Sequence, residues 1–121
     1  MVDRADFAAW IENYERAWRT AGTVLLPELF TEDATYRHSP YAEPVAGLAA
    51  IARDWEAERE GAAEVFSMTT EIVAVEGDTG VARAEVRYER AEFRDLWVVR
   101  FAPDGRCAAF EEWWFEPPED Q

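Results

Sequence analysis

The sequence predicts an α+β domain in which helices come first and a curved antiparallel sheet follows, wrapped around them. Three observations predict it. Apolar residues recur every three to four positions up to Gly61, they alternate from Val65 onward, and short turn signals divide the alternating part. Helices followed by strands is the pattern of an α+β fold. A curved sheet folded over helices leaves an internal pocket at its concave face, where ligands tend to bind.

The first helix is read from Phe7, Trp10, Ile11, Tyr14 and Trp18, which form one apolar stripe of period 3.6. Asp3 is its N-cap and Gly22 its C′ stop. A short helical turn follows, with Pro27 near its start and Leu26, Leu29 and Phe30 as its contacts. Ala34 to His38 reads as a short strand, with Tyr36 and His38 projecting the same way. Residues 39–44 form a loop. Gly47 to Glu60 is the next helix, with Leu48, Ile51 and Trp55 on one face and Gly61 as its stop. Four strands complete the chain: Val65–Glu76, Val81–Arg90, Phe93–Ala102 and Arg106–Phe115. Gly77-Asp78-Thr79-Gly80 and Pro103-Asp104-Gly105 supply hairpin turns. No linker interrupts residues 1–121, so a single domain is expected, with 117–121 as a solvated tail.

Composition narrows the function. The net charge of −14, from 26 acidic and 12 basic residues, repels phosphate backbones and anionic lipid, so neither nucleic acid nor membrane is an expected partner. All the basic residues are arginine, which removes Schiff-base chemistry and a phosphate-loop lysine. One histidine and one cysteine cannot build a nitrogen- or sulfur-rich metal cluster, so no metal is expected. No glycine-rich phosphate loop or G-x-S-x-G elbow is present, and no cofactor is expected. The lone Cys107 and the absence of an apolar leader or membrane span point to the cytoplasm.

Leu29-Phe30-Thr31-Glu32-Asp33-Ala34-Thr35-Tyr36, then Glu43-Pro44-Val45-Ala46-Gly47 leading to Ile51, and the stretch from Asp104-Gly105-Arg106 to Glu112-Trp113-Trp114 carry a resemblance. From about Phe7 to Phe115 the chain resembles the nuclear-transport-factor-like superfamily, which includes ketosteroid isomerases and SnoaL-like polyketide cyclases. The resemblance implies a cone-shaped sheet around the helices and a homodimer through the outer sheet face. It also implies site residues. Tyr14, sixteen residues before Phe30, falls where the isomerases keep an oxyanion donor. Their general base falls on His38. Their second donor, a carboxylic acid, falls on Trp97, which can donate an N–H but not deliver a proton. The cyclase comparison places an acid/base carboxylate at Glu112, seven positions after Gly105.

His38 is the only side chain that ordinarily titrates near neutrality, and a carboxylate such as Glu112 beside it would let it take a proton next to a carbonyl. A histidine bonded to backbone at a strand end is the bland alternative. Tyr14 could equally be a core aromatic, and Glu112 a solvated or arginine-paired side chain. Alternation puts Phe110, Glu112 and Trp114 on one face and Glu111, Trp113 and Phe115 on the other. Aromatics on both leave the inner face open, and the resemblance favours that of Glu112. Trp18, Tyr36, Trp55, Trp97, Phe110 and Trp114 are the candidate walls for an apolar small molecule. Arg83, Glu85 and Arg87 alternate with apolar residues and are expected as ion pairs on the outer face.

Two functions fit. The first is a cofactor-independent acid/base enzyme of isomerase, dehydratase or cyclase type on a carbonyl-bearing small molecule, with His38, Tyr14 and Glu112 as its catalytic groups. The second is a non-catalytic dimeric ligand-binding module of the same fold.

Overall fold

The computed structural model describes residues 2–58 and 65–118. Helix α1 (Arg4–Arg19) starts on a reciprocal cap: Asp3 accepts from the Asp6 amide at 2.8 Å, and Asp6 accepts from the Asp3 amide at 3.3 Å. Its stripe of Phe7, Trp10, Ile11, Tyr14 and Ala17 is buried. The helix ends at Arg19 with Thr20 as its C-cap, so Gly22 (φ 82°) lies one residue too far along to be the C′ stop. Helix α2 (Leu26–Leu29) is one turn begun by Pro27 and leads straight into β1 (Phe30–Arg37). That strand starts four residues earlier than Ala34, because Phe30 already pairs with β6 before an irregularity interrupts the ladder.

Two-residue β2 (Val45–Ala46) lies in a stretch too short for alternation to register. It pairs antiparallel to Thr35 and Tyr36 of β1. Helix α3 (Leu48–Glu58) follows, with Ile51 and Trp55 buried; the expected stop at Gly61 lies outside the described residues. Strands β3 (Ser67–Glu76), β4 (Thr79–Arg87), β5 (Glu92–Phe101) and β6 (Cys107–Phe115) form an antiparallel meander. Gly77 (φ 59°) and Asp78 alone make the first turn, since Glu76 already pairs with Thr79, so Thr79 and Gly80 belong to β4.

The six strands form one curved, unclosed sheet in the order β2-β1-β6-β5-β4-β3. The β1–β6 pair is parallel, an exception to the otherwise antiparallel sheet. The helices cover the concave face. Phe7 lies so close over Gly80 that a Cβ there would stand 2.5 Å from its ring. On the convex face Glu71–Arg83, Glu85–Arg94 and Arg87–Glu92 are exposed cross-strand ion pairs, the expected use of the charged row. Among the described residues no helix is long and apolar enough to cross a membrane.

Candidate active site

The helices and the concave sheet face enclose a cavity of about 850 Å³. Strand parity decides what enters it. Between β5 and β6 the ladder slips, with Arg100 opposite Ala109 but Phe101 opposite Cys107, which leaves Ala108 unpaired. Beyond that bulge Phe110, Glu112 and Trp114 face inward.

Phe110 is the one candidate wall residue that does not reach the cavity. It is 1% exposed and packs beneath Tyr14, Tyr36 and Trp97, because it sits next to the bulge where the sheet meets α1. Trp18, Tyr36, Trp55, Trp97 and Trp114 all line the space. Trp18 and Trp55 meet edge to face at 4.7 Å, and Trp18 Nε1 donates to the Tyr88 hydroxyl at 3.0 Å. Trp114, 38% exposed, stands beside the His38 ring.

Glu112 is held from two sides. The Tyr36 hydroxyl donates to its Oε1 at 2.7 Å, and the Tyr14 hydroxyl donates to its Oε2 at 3.1 Å. The two phenol oxygens are themselves 3.3 Å apart. Burial raises the Glu112 pKa above the usual carboxylate range, while the bonds from Tyr36 and Tyr14 and the nearby His38 pull it back. Both phenols are pushed well above their ordinary value, first by burial and then by the charge of Glu112. With Glu112 ionised both hydroxyl protons are engaged, so Tyr14 is a partner of the carboxylate rather than the free oxyanion donor expected for it.

His38 lines the same cavity, but its bonded carboxylate is Asp54 on α3 rather than Glu112. Nε2 and Asp54 Oδ2 are 2.7 Å apart. Nδ1 is buried with no hydrogen-bond partner among the described residues. Glu58, one turn after Asp54, completes a group whose ligating atoms lie within 4.8 Å of one another and could hold a metal ion. A single histidine beside two carboxylates is a mixed donor set, concealed in the sequence by the lack of a second histidine or cysteine.

A second carboxyl, that of Asp95, also lines the cavity. It precedes Trp97 by two residues on β5, shares its inward face, and accepts from Trp97 Nε1 at 3.3 Å. It is 9% exposed, and its Oδ1 has no partner among the described residues. Burial first, and then the charge of Glu112, push its pKa to about 7. The signal was legible: an acid at inward parity between apolar neighbours on a central strand.

The SnoaL-like domain family matches residues 4–110, most of the chain. The chain belongs to the SnoaL-like domain family. This SnoaL-like domain also superposes on solved structures across nearly its whole length. An NTF-2 like protein of unknown function from Burkholderia xenovorans LB400 is 13% identical, with 97% of this chain and 88% of that one covered and a TM-score of 0.74. A steroid delta-isomerase from Pseudomonas aeruginosa is 22% identical, with 93% and 81% covered and a TM-score of 0.66. An LEH-like epoxide hydrolase from M. tuberculosis is 11% identical, with 92% and 84% covered and a TM-score of 0.61. These likenesses show the fold. No curated protein matches the chain. The same cone therefore carries different chemistries, and the site of this SnoaL-like domain has to be read from its own side chains.

Proposed function

We propose that the protein is a cofactor-independent acid/base enzyme acting on a small, carbonyl-bearing molecule, by isomerisation, dehydration or aldol-type cyclisation. The observation that carries this reading is the convergence of Tyr14 and Tyr36 on Glu112 in the cavity that the His38–Asp54 pair also lines. With the ring proton on Nε2 and given to Asp54, His38 keeps a lone pair on Nδ1. That nitrogen takes the proton next to the carbonyl, and the electron pair moves onto the carbonyl oxygen. The Glu112–Tyr14–Tyr36 group answers it. When Glu112 is protonated it no longer needs both phenol protons, so one hydroxyl is released to donate to the developing oxyanion. His38 is the base, Asp54 a positioning residue, and Glu112 the second acid/base group.

Mass spectrometry of small molecules that co-purify with the protein supplies candidate substrates. In a turnover assay built on them, His38→Ala and Glu112→Gln are each expected to lower the rate at least about tenfold, roughly 1.4 kcal/mol of barrier. Unchanged rates with ligand binding retained would reject catalysis in favour of a binding module.

We further propose a homodimer in the cytoplasm, joined through the convex sheet face. Support comes from the apolar strip there, where half-buried Leu96 and Trp113 pair across strands and Phe115 is 60% exposed. Light scattering of wild type and Phe115→Glu tests it; a wild-type monomer rejects it.

A further inference from the structure

Among the described residues, the carboxylates of the cavity outnumber its cations. Asp54, Glu58, Glu89, Asp95, Glu112 and Glu116 line it, against the guanidinium of Arg90 and the imidazole of His38. An acidic lining alone names no ligand, but the unpaired oxygen of Asp95 does. Oδ1 is buried, has no donor among the described residues, and belongs to a side chain that faces the cavity. Asp95 lies opposite Trp114 and Glu112 opposite Trp97, so the two carboxylates are diagonal neighbours on adjacent strands. Each disfavours the other's charge, and Asp95 is displaced to about 7 in consequence of burial and of Glu112.

An anionic ligand would meet repulsion from both. A neutral apolar ligand would leave Oδ1 desolvated and unpaired, which is costly. A positively charged N–H group satisfies the orphan oxygen and offsets the charge of both carboxylates. The walls suit the same group, since Trp18, Trp55, Tyr88, Trp97 and Trp114 line the cavity and an aromatic face attracts a cation. Trp55 Nε1, also buried without a partner among the described residues, lacks an acceptor such as a carbonyl oxygen.

We propose that the molecule taken into this cavity is a carbonyl compound that also carries a protonated amine, with its nitrogen held by Asp95. The proposal rests on the reading of the cavity as a substrate site and names the class of substrate.

The test is calorimetric titration of the full chain at about pH 8, where Asp95 is ionised, with a matched pair of probes: 2-(1-naphthyl)ethylamine and 2-(1-naphthyl)ethanol. The amine is expected to bind at least about tenfold more tightly than the alcohol. Asp95→Asn and Asp95→Ser are expected to abolish that preference. Equal or tighter binding of the alcohol by wild type, a comparison independent of any variant's folding, overturns the amine proposal and leaves the cavity a ligand site. Retention of the preference in both folded variants overturns the role of Asp95. Failure of both probes to bind at millimolar concentration overturns the proposal together with the reading on which it rests.

Discussion

Tyr36 reaches Glu112 diagonally across the parallel β1–β6 pair, donating to Oε1 at 2.7 Å while its own in-register partner is Phe110. This is the shorter of the two phenol bonds to the carboxylate, and both lower a pKa that burial raises.

Removing the Tyr36 hydroxyl should therefore let Glu112 titrate at higher pH. In Tyr36→Phe its carboxyl carbon, followed by NMR, is expected to protonate above the wild-type midpoint, and the domain to lose about 1–2 kcal/mol in urea unfolding. Tyr14→Phe should act in the same direction and less. An unmoved midpoint would mean that the phenols do not control this carboxylate.

Asp95 gives the stability a pH dependence of definite sign. Its folded-state pKa, about 7, lies above the ordinary carboxylate value, so the native state binds its proton more tightly than the unfolded chain does. Stability from this group is complete below the unfolded pKa and is lost as pH rises from about 4 to about 7. Asp95→Asn lacks that loss. Wild type is expected to fall relative to the variant across this window, by on the order of 5 °C in Tm. Parallel Tm curves would refute the displacement.

Gly80 has an ordinary backbone conformation, and its importance is the ring above it. A methyl at this position meets fully buried Phe7 at 2.5 Å. Gly80→Ala is expected to cost about 1–3 kcal/mol by overpacking. Phe7→Leu in the same chain should make the alanine less costly, which a double-mutant cycle in urea would measure; strict additivity would place the strain elsewhere.

Cys107 is fully buried at the start of β6, and burial pushes its thiol up to about 12. It should resist a thiol reagent in the native protein and react once the chain is unfolded. Rapid native labelling would show that the β1–β6 seam opens.

Much of the fold was legible because it depends on local periodicity. The α1 stripe, the Asp3 cap and the alternation of Arg83, Glu85 and Arg87 each follow from a repeat within one element. The family resemblance pointed to Tyr14, Glu112 and His38, and all three line one cavity. It could not assign their partners, since pairing across the sheet depends on register. Phe110 is packed into the core by Tyr14, Tyr36 and Trp97, and the position of α3 sets Asp54, rather than Glu112, against His38. Asp95 was missed for a different reason. The resemblance pointed to Trp97, while the buried acid stands two residues away on the same face.

The parallel pairing of β1 with β6 also governs when the site can exist. Tyr14 and Glu112 are 98 residues apart in sequence, and the strand that carries the carboxylate inserts between two strands made earlier. Contacts of such long sequence separation form slowly, after much of the chain has been ordered. During synthesis the helices and the β3–β4–β5 meander can assemble while the cavity still lacks its sixth wall. A nascent chain arrested before Cys107 would thus be largely structured yet lack Glu112, and the Tyr14–Tyr36–Glu112 group would be completed in one step with the final strand.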